Sequence, residues 1–297
     1  MEQEELKKWR ESGRISARAM KYARSIVKDG VSLLEIAEKI EQKIAELGGT
    51  PAFPVDLCCN EIAAHYSPVI GDKNVAHGIV KIDLGVSVDG YLTDTASAVD
   101  LSPEGKYKKM IAAGDEALKK AISMAKDGTE LNEIGKAVFE LITNAGFTPV
   151  KNLMGHEIAR FKIHAGLSVP GYDNNDKRIL KKDMIIAIEP FPTTGIGLVV
   201  NDKSCQIYQL AEKKPVRDLN ARKILEFIEQ EYKTIPFCAR WLNGKFKNVV
   251  FYLAMLEREG VLKQYPSLIE KSNAPVSQSE HTILVTEKGC GVLTEED

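Results

Sequence analysis

The chain has 297 residues, of which 44% are hydrophobic and 28% are charged, and its formal net charge is −2. This composition is typical of a globular protein with a sizeable core, and the near-neutral charge argues against a dedicated nucleic-acid or membrane-surface binder. The charged N-terminus does not resemble a signal peptide, and no apolar run approaches the ~18 residues of a membrane span. Five cysteines without CxxC spacing argue against a disulfide framework or a zinc ribbon, so we expect reduced thiols in the cytoplasm.

The first half of the chain opens with two predicted helices. Residues 4–28 form the first, and the second begins after Ser32, which stands three residues before Glu35 as in a capping box. The same pattern returns 98 residues later, since ten of the 26 positions are identical between residues 23–48 and 121–146. We therefore predict an internal duplication, in which two helix–helix–strand halves related by a pseudo-twofold axis share one central cleft.

Apolar strands follow each copy of the repeat. They are predicted at residues 78–84, 90–100, 184–190 and 281–285. The segment between the last two strands, residues 196–264, has helical periodicity instead and is interpreted as a helical insertion subdomain. We expect the remaining residues, 1–195 and 265–297, to form one α+β catalytic domain.

Two carboxylates lie in a predicted β-hairpin whose turn is an Asp-Gly pair at residues 89–90, which favours the positive φ angles of a type I′ turn. With that turn, Asp83 lies opposite Ala96. Asp94 lies opposite Gly85, on the same face as Asp83 and roughly 7–8 Å from it. Two ionised carboxylates on a partly buried face repel each other, so either one takes up a proton or a cation lies between them. On this stretch alone, a solvated hairpin face is the alternative.

Three further side chains extend this pair into a candidate metal site. Glu189 lies in an otherwise apolar strand and Glu280 at the mouth of another, and lone glutamates in apolar strands are seldom buried without a partner. His156 follows the second copy of the repeat. Four carboxylates and one imidazole, with no thiolate, suit two divalent cations of the Mn, Fe, Co or Zn kind rather than a structural zinc site.

The order Asp83, Asp94, His156, Glu189, Glu280 resembles the five metal ligands of the methionine aminopeptidases, which have the pita-bread (creatinase/aminopeptidase) fold. The local strings AFPVDLCCNEIAAHYSP, KIDLGVSVDGYLTDTA, NLMGHEIARFKIHAG, AIEPF and SEHTILVT extend the resemblance over nearly the whole chain. The gap of 91 positions from Glu189 to Glu280 resembles that of the type 2 enzymes, which carry a helical insertion there. No long charged extension precedes the first predicted helix, so the chain looks more archaeal than eukaryotic. The resemblance implies an α+β pita-bread fold with this insertion.

The resemblance also implies a hydrolase that removes the initiator methionine from nascent proteins. Asp83 would chelate one metal, while Asp94 and Glu280 would bridge both metals. His156 and Glu189 would complete the shell of the other metal. A bridging water or hydroxide would attack the first peptide bond, with Glu189 as general base. The implied cofactors are two divalent ions drawn from Co, Mn, Fe, Zn and Ni.

Two histidines and an apolar pocket are implied to bind the substrate. His65, in AAHYSP, resembles the family histidine near the scissile peptide, and His164, in KIHAG, resembles the one that donates to the developing oxyanion. The implied methionine pocket contains Phe53, Ile163 and Tyr265. Ile207 stands where the eukaryotic type 2 enzymes have a pocket histidine. The remaining histidines, His77 and His281, are expected to be a surface and a structural residue.

Two alternatives remain open at this point. A prolidase or aminopeptidase P would share the ligand set, although those relatives usually carry a large domain before the first ligand and lack the long helical stretch. A ribosome- or RNA-associated binding protein of the same fold would have lost ligands, whereas all five are present. We therefore expect a cytoplasmic, monomeric methionyl aminopeptidase that acts on nascent polypeptides near the ribosome, without membrane or specific nucleic-acid partners.

Overall fold

A computed structural model describes residues 1–295. Its helices are α1 (Gln3–Ile26), α2 (Leu33–Glu46), α3 (Lys108–Met124), α4 (Leu131–Asn144), α5 (Leu219–Glu231), α6 (Ala239–Leu242) and α7 (Val249–Arg258). Its strands are β1 (Thr50–Pro51), β2 (Asp56–Cys59), β3 (Ile62–Ala64), β4 (Ile79–Val88), β5 (Tyr91–Asp100), β6 (Thr148–Pro149), β7 (Gly155–Ile158), β8 (Ser168–Val169), β9 (Ile185–Ile188), β10 (Pro192–Thr193), β11 (Val199–Leu210), β12 (Phe237–Cys238), β13 (Leu262–Glu270), β14 (Ser279–Val285) and β15 (Cys290–Val292). Within the described residues, no helix has the length and apolar character needed to cross a membrane.

Local sequence explains where α2 begins and ends. The Ser32 hydroxyl accepts a hydrogen bond from the backbone N–H of Glu35 at 3.4 Å, which satisfies one of the free donors at the helix N-terminus. Gly48 follows the helix with a φ of 93°, a left-handed conformation that glycine adopts without a steric penalty. The apolar side chains of α2 recur at helical spacing and are buried, so this helix packs one stripe against the core.

The predicted duplication is visible in the order of the elements. In the first half α1 and α2 lead into β1, and in the second half α3 and α4 lead into β6, whose first residue lies 98 positions after that of β1. The two helix pairs contribute to separate hydrophobic clusters. One contains Ile36 and Ile40 of α2, and the other contains Ile134 and Val138 of α4. Each half therefore has its own core.

A nine-stranded sheet joins the two halves. Its main order is β1-β4-β5-β14-β9-β7-β8, with β2 paired to β4 and β15 paired to β14. The β4–β5 hairpin has the predicted register, with Val88 opposite Tyr91. Asp89 and Gly90 form its turn with φ angles of 52° and 85°, as the Asp-Gly pair predicts. Strand β14 lies between β5 and β9, so the C-terminal part of the chain connects the first-half hairpin to the second-half strands.

The segment 196–264 contains helices α5–α7, but it also contains the 12-residue strand β11. Strand β11 pairs with β12 and β13, and β13 pairs with β3 of the first half. The helices of this segment pack on their own hydrophobic cluster, which includes Phe237 and Leu253. The segment is thus mixed α and β in structure, and its separation as a subdomain with boundaries at residues 195 and 265 stays a prediction.

Candidate metal centre

Strand register brings three of the predicted ligands to one face of the sheet. Asp83 of β4 lies opposite Ala96 of β5, and Ala96 lies opposite Glu280 of β14. Directly opposed residues of neighbouring strands point to the same face, and so do alternate residues along one strand. Asp94 lies two residues before Ala96, so it shares that face with Asp83 and Glu280.

The second-half ligands reach the same face through β9. Ala187 of β9 lies opposite Thr282 of β14 and opposite His156 of β7. Thr282 is two residues after Glu280, and Glu189 is two residues after Ala187. The alternation of side chains therefore places His156 and Glu189 beside the first three ligands.

The side chains converge over distances suited to a shared ion. The Nε2 atom of His156 lies 3.4 Å from Oδ2 of Asp94 and 3.9 Å from Oε1 of Glu189. Asp94, His156 and Glu280 each offer one ligand atom, and these three atoms lie within 4.8 Å of one another. The structure thus brings together residues that are up to 186 positions apart in the sequence (94 to 280).

Buried acceptor atoms in this cluster lack hydrogen bonds. Asp94, His156 and Glu280 are 6%, 7% and 1% exposed. Oδ1 of Asp83, Oδ1 of Asp94 and Oε1 of Glu280 accept no hydrogen bond from the described part of the chain. Buried polar atoms in proteins are almost always satisfied, and oxygen and imidazole donors suit divalent cations, so this donor set fits metal ions.

Burial without a counter-charge shifts the pKa values of the cluster. Burial raises the pKa of Asp94 to about 7. Burial and the nearby charge of Asp94 raise the pKa values of Asp83, Glu189 and Glu280 well above their usual range. Burial lowers the pKa of His156 to about 4, so its imidazole is neutral at physiological pH. The site is a set of protonatable carboxylates beside a neutral imidazole.

Hydrogen bonds across β5 and β14 hold the ligands in place. The Asp94 N–H donates to Oγ1 of Thr282 at 2.8 Å, and that hydroxyl donates to the Asp94 carbonyl at 2.7 Å. One residue further, Oγ1 of Thr95 donates to the Glu280 carbonyl at 2.9 Å. These bonds connect the backbone around Asp94 to the backbone around Glu280 through two threonine hydroxyls, which helps to fix the relative positions of the two predicted ligands.

A cavity of about 470 Å³ opens beside the cluster. Its wall includes both predicted substrate histidines, His65 and His164, and the predicted pocket residues. These pocket residues are Phe53, Ile163, Tyr265 and Ile207. The His164 ring lies 4.4 Å from the His156 ring, centre to centre, and the His65 ring lies 5.6 Å from the Tyr265 ring. The cavity therefore combines an apolar wall with two imidazoles next to the metal ligands.

Both cavity histidines are neutral. Burial and the nearby His164 lower the pKa of His65 to about 4. The cavity wall partly buries His164, and this burial, together with the neighbouring His156, lowers its pKa. A neutral imidazole carries one N–H that can donate and one nitrogen that can accept. His65 also has a φ of 60°, a conformation that is uncommon for residues other than glycine and is often found at functional sites.

The other two histidines lie outside the cluster. His77 is exposed, and its Nδ1 contacts the Val75 carbonyl at 3.0 Å. His281 points to the opposite face of β14 from Glu280, where its Nδ1 contacts Oγ1 of Thr294 at 2.9 Å. Strand alternation predicts this orientation of His281.

The sequence does not single out three buried polar residues on or next to the strands around the cluster. Gln278 donates from Nε2 to Oδ2 of Asp83 at 2.9 Å. Lys81 is fully buried and donates from Nζ to the Asn60 carbonyl at 2.7 Å, and burial lowers its pKa to about 8. Asp56 lines the cavity. A lone carboxylate in an apolar strand drew attention to Glu189, and the same signal was present at Asp56 within VDLCC.

Comparisons with known proteins extend this description. The sequence profile of metallopeptidase family M24 matches residues 7–287. A methionine aminopeptidase of Pyrococcus horikoshii is 46% identical over 290 residues, which are 96% of this chain and 98% of the relative. A solved methionine aminopeptidase from Thermotoga maritima has a TM-score of 0.73 at 21% identity and covers 100% of this chain and 98% of its own. The structure of a thermophilic Arx1 has a TM-score of 0.86 at 16% identity, with 100% and 92% covered. At these identities the two structural likenesses bear on the fold alone.

Proposed function

The chain belongs to metallopeptidase family M24 and has the pita-bread fold, and on that premise we propose that it is an archaeal-like, type 2 methionyl aminopeptidase. It hydrolyses the first peptide bond of proteins that begin with methionine. The observation that carries this proposal is the convergence of buried, unpartnered carboxylate oxygens and a neutral imidazole beside an apolar cavity. The near-full-length relative named methionine aminopeptidase supports this activity over the prolidase alternative.

The metal-binding role of the five clustered residues is part of the proposal. The ligands are Asp83, Asp94, His156, Glu189 and Glu280. Two divalent cations bound there would lower the pKa of a water molecule and polarise the carbonyl of the scissile bond. The number of ions and their identity among Co, Mn, Fe, Zn and Ni belong to this proposal. The unsatisfied oxygens of Asp83, Asp94 and Glu280 support it.

The side chains around the reacting bond have distinct tasks. Glu189 accepts the proton of the attacking water and passes it to the leaving amine. Burial, with the charge of Asp94, raises the pKa of Glu189 in the metal-free site. Bound cations would favour its ionised form, which can accept a proton as a general base. The neutral His164 donates its N–H to the oxygen that gains negative charge as the carbonyl is attacked. His65, on the same cavity wall, contacts the peptide and fixes its orientation.

The apolar wall selects the first side chain of the substrate. Phe53, Ile163, Ile207 and Tyr265 line the same cavity as the proposed ligands. Burial of an unbranched methionine side chain against them contributes about 1.5–3 kcal/mol to binding. The Tyr265 hydroxyl donates to Oε1 of Gln209 at 2.6 Å, which fixes the ring at the wall. A charged first residue would lose its hydration against these four apolar and aromatic side chains.

Peptide cleavage tests the proposed function. The protein loaded with Mn, Fe or Co under anaerobic conditions should release methionine from Met-Ala-Ser and leave N-acetyl-Met-Ala-Ser intact. Ala-Pro serves as the substrate for the prolidase alternative. Failure to cleave Met-Ala-Ser with all three metals would overturn the proposal, and cleavage of Ala-Pro alone would replace it with the prolidase activity.

The cellular location and the oligomeric state of the enzyme are also part of the proposal. An N-terminal methionine is first exposed on a nascent chain, so we place the enzyme in the cytoplasm, as a monomer working close to the ribosome. The net charge of −2 gives little support to direct RNA affinity. Size-exclusion chromatography with light scattering should give one chain of 32.8 kDa. A dimer at micromolar concentration would contradict the monomer.

A further inference from the structure

Asp56 occupies a position in the cleft that the proposed metal site does not use. It is the first residue of β2 and lies directly opposite Asp83 of β4. Opposed residues of an antiparallel pair point to the same face with Cβ atoms roughly 4.5–5.5 Å apart. Asp56 therefore lies beside a proposed metal ligand, and it lines the cavity three residues after the pocket residue Phe53.

The protein leaves one oxygen of this carboxylate, Oδ1, without a hydrogen-bond donor among residues 1–295, and Asp56 is 3% exposed. Burial raises the pKa of the carboxyl, and the nearby His65 backbone N–H offsets part of that rise. Lys81 lies on the neighbouring strand, but its Nζ donates to the Asn60 carbonyl at 2.7 Å. A buried carboxylate oxygen without a donor is unfavourable, so a ligand that supplies a donor is favoured on binding.

The first residue of the proposed substrate has one group of suitable chemistry. The methionine side chain has no hydrogen-bond donor, and the scissile carbonyl is an acceptor. The α-amino group carries two or three N–H donors, and a carboxylate has acceptor sites for several of them. We propose that Asp56 binds the α-amino group of the substrate's first residue, and that it thereby contributes to the selection of a free N-terminus. This inference rests on the proposed function.

A matched pair of ligands isolates the amino group. L-methioninamide and 4-(methylthio)butanamide share the side chain and the amide, but only the first has the amine. Calorimetry on the manganese-loaded protein should show tighter binding of L-methioninamide. The isosteric substitution Asp56→Asn should lower the affinity for L-methioninamide roughly tenfold or more, because a hydrogen bond to a charged group is lost. The affinity for 4-(methylthio)butanamide should change less than about twofold.

The same measurements identify the outcomes that overturn the inference. An equal loss of affinity for both ligands in D56N would mean that Asp56 only shapes the pocket. Equal affinity of the unsubstituted protein for the two ligands would mean that the amine is not recognised. A lower manganese stoichiometry or affinity in D56N would make it a metal ligand instead. If D56N does not fold, Asp56→Ser is measured with the same ligand pair. Methionine release from Met-Ala-Ser tests the proposed function separately, because ligand binding is read without turnover.

Discussion

The Arg240–Glu41 pair and the carboxylate cluster of the cleft both bury charge, but only the first contains its own counter-charge. Nη1 of Arg240 lies 2.6 Å from Oε2 of Glu41, Nη2 lies 2.8 Å from Oε1, and the two side chains are 8% and 11% exposed. The Trp241 indole N–H donates to Glu41 at 2.9 Å, and the Val55 N–H donates at 3.3 Å. Arg240 also donates to the Pro68 carbonyl at 3.2 Å. Every charge in this pair is therefore balanced within the protein.

The cleft has the opposite arrangement. The carboxylates of Asp94 and Glu189 lie 3.4 Å and 3.9 Å from the His156 Nε2 atom. This imidazole supplies no counter-charge, because its pKa of about 4 leaves it neutral. Desolvation of unpaired carboxylates raises their pKa values and weakens the metal-free fold. This chain thus supplies the counter-ion where the charges hold elements together, and leaves it out where the charges are proposed to bind a cation or a substrate.

The largest effect is expected from Glu189→Gln, which removes an unpaired carboxylate of the cleft without changing its shape. Loss of the proposed general base should lower kcat for Met-Ala-Ser by roughly 10²–10⁴-fold. Urea unfolding of the metal-free variant at pH 7 should nevertheless show equal or higher stability, since a buried acidic group is gone. Glu287→Gln, at an exposed carboxylate paired with Lys182, is the control and should change neither quantity. If E189Q kept the wild-type kcat, Glu189 would not act as the general base.

The second prediction concerns the paired region. Arg240→Met leaves the Glu41 carboxylate buried without its partner, which should lower the free energy of unfolding by about 3–5 kcal/mol. The double variant E41Q/R240M should recover much of this loss, because neither charge then remains buried alone. Urea denaturation of the three proteins measures both values. If R240M were as stable as the wild type, the contrast between the two regions would not hold.

His164→Ala tests the cavity wall beside the carboxylate cluster. Loss of the proposed oxyanion donor should lower kcat by roughly 10²–10³-fold, with a smaller change in KM. The exposed loop histidine gives a matched control, and His77→Ala should leave both constants unchanged. A change confined to KM would assign His164 to substrate binding rather than to stabilisation of the developing charge.

The sequence was sufficient for the features that depend on local chemistry. The Asp-Gly turn at residues 89–90 set the register of the hairpin, so the relative placement of Asp83 and Asp94 is confirmed. The Arg240–Glu41 pair was missed because its members are 199 residues apart and each looks like an ordinary helix-surface charge in its own segment. Strand β11 was missed because VVNDKSCQIYQL has polar residues in its middle and lacks a strict alternation.

The smallest effect is the pH dependence of metal binding, which follows from the unpaired region alone. In the metal-free protein the cleft carboxylates hold protons at a higher pH than usual, with the pKa of Asp94 at about 7. A cation must displace these protons, so manganese affinity should rise between pH 6 and 8, by about tenfold per pH unit for each proton released. His156 adds no competing proton in this range, because its lowered pKa leaves it neutral. Calorimetry in two buffers of different ionisation enthalpy measures both the affinity and the proton release.

The hairpin that carries Asp94 also contains the control for this prediction. Asp89 is exposed in its turn and lies 2.6 Å from the Lys8 ammonium, which lowers the pKa of Asp89. It is therefore ionised at pH 6 and has no proton to exchange, so Asp89→Asn should leave the slope of manganese affinity against pH unchanged. Asp94→Asn should weaken manganese binding and flatten that slope. A pH-independent affinity in the unsubstituted protein would mean that the carboxylates are already ionised without metal, and that the cleft contains a counter-charge after all.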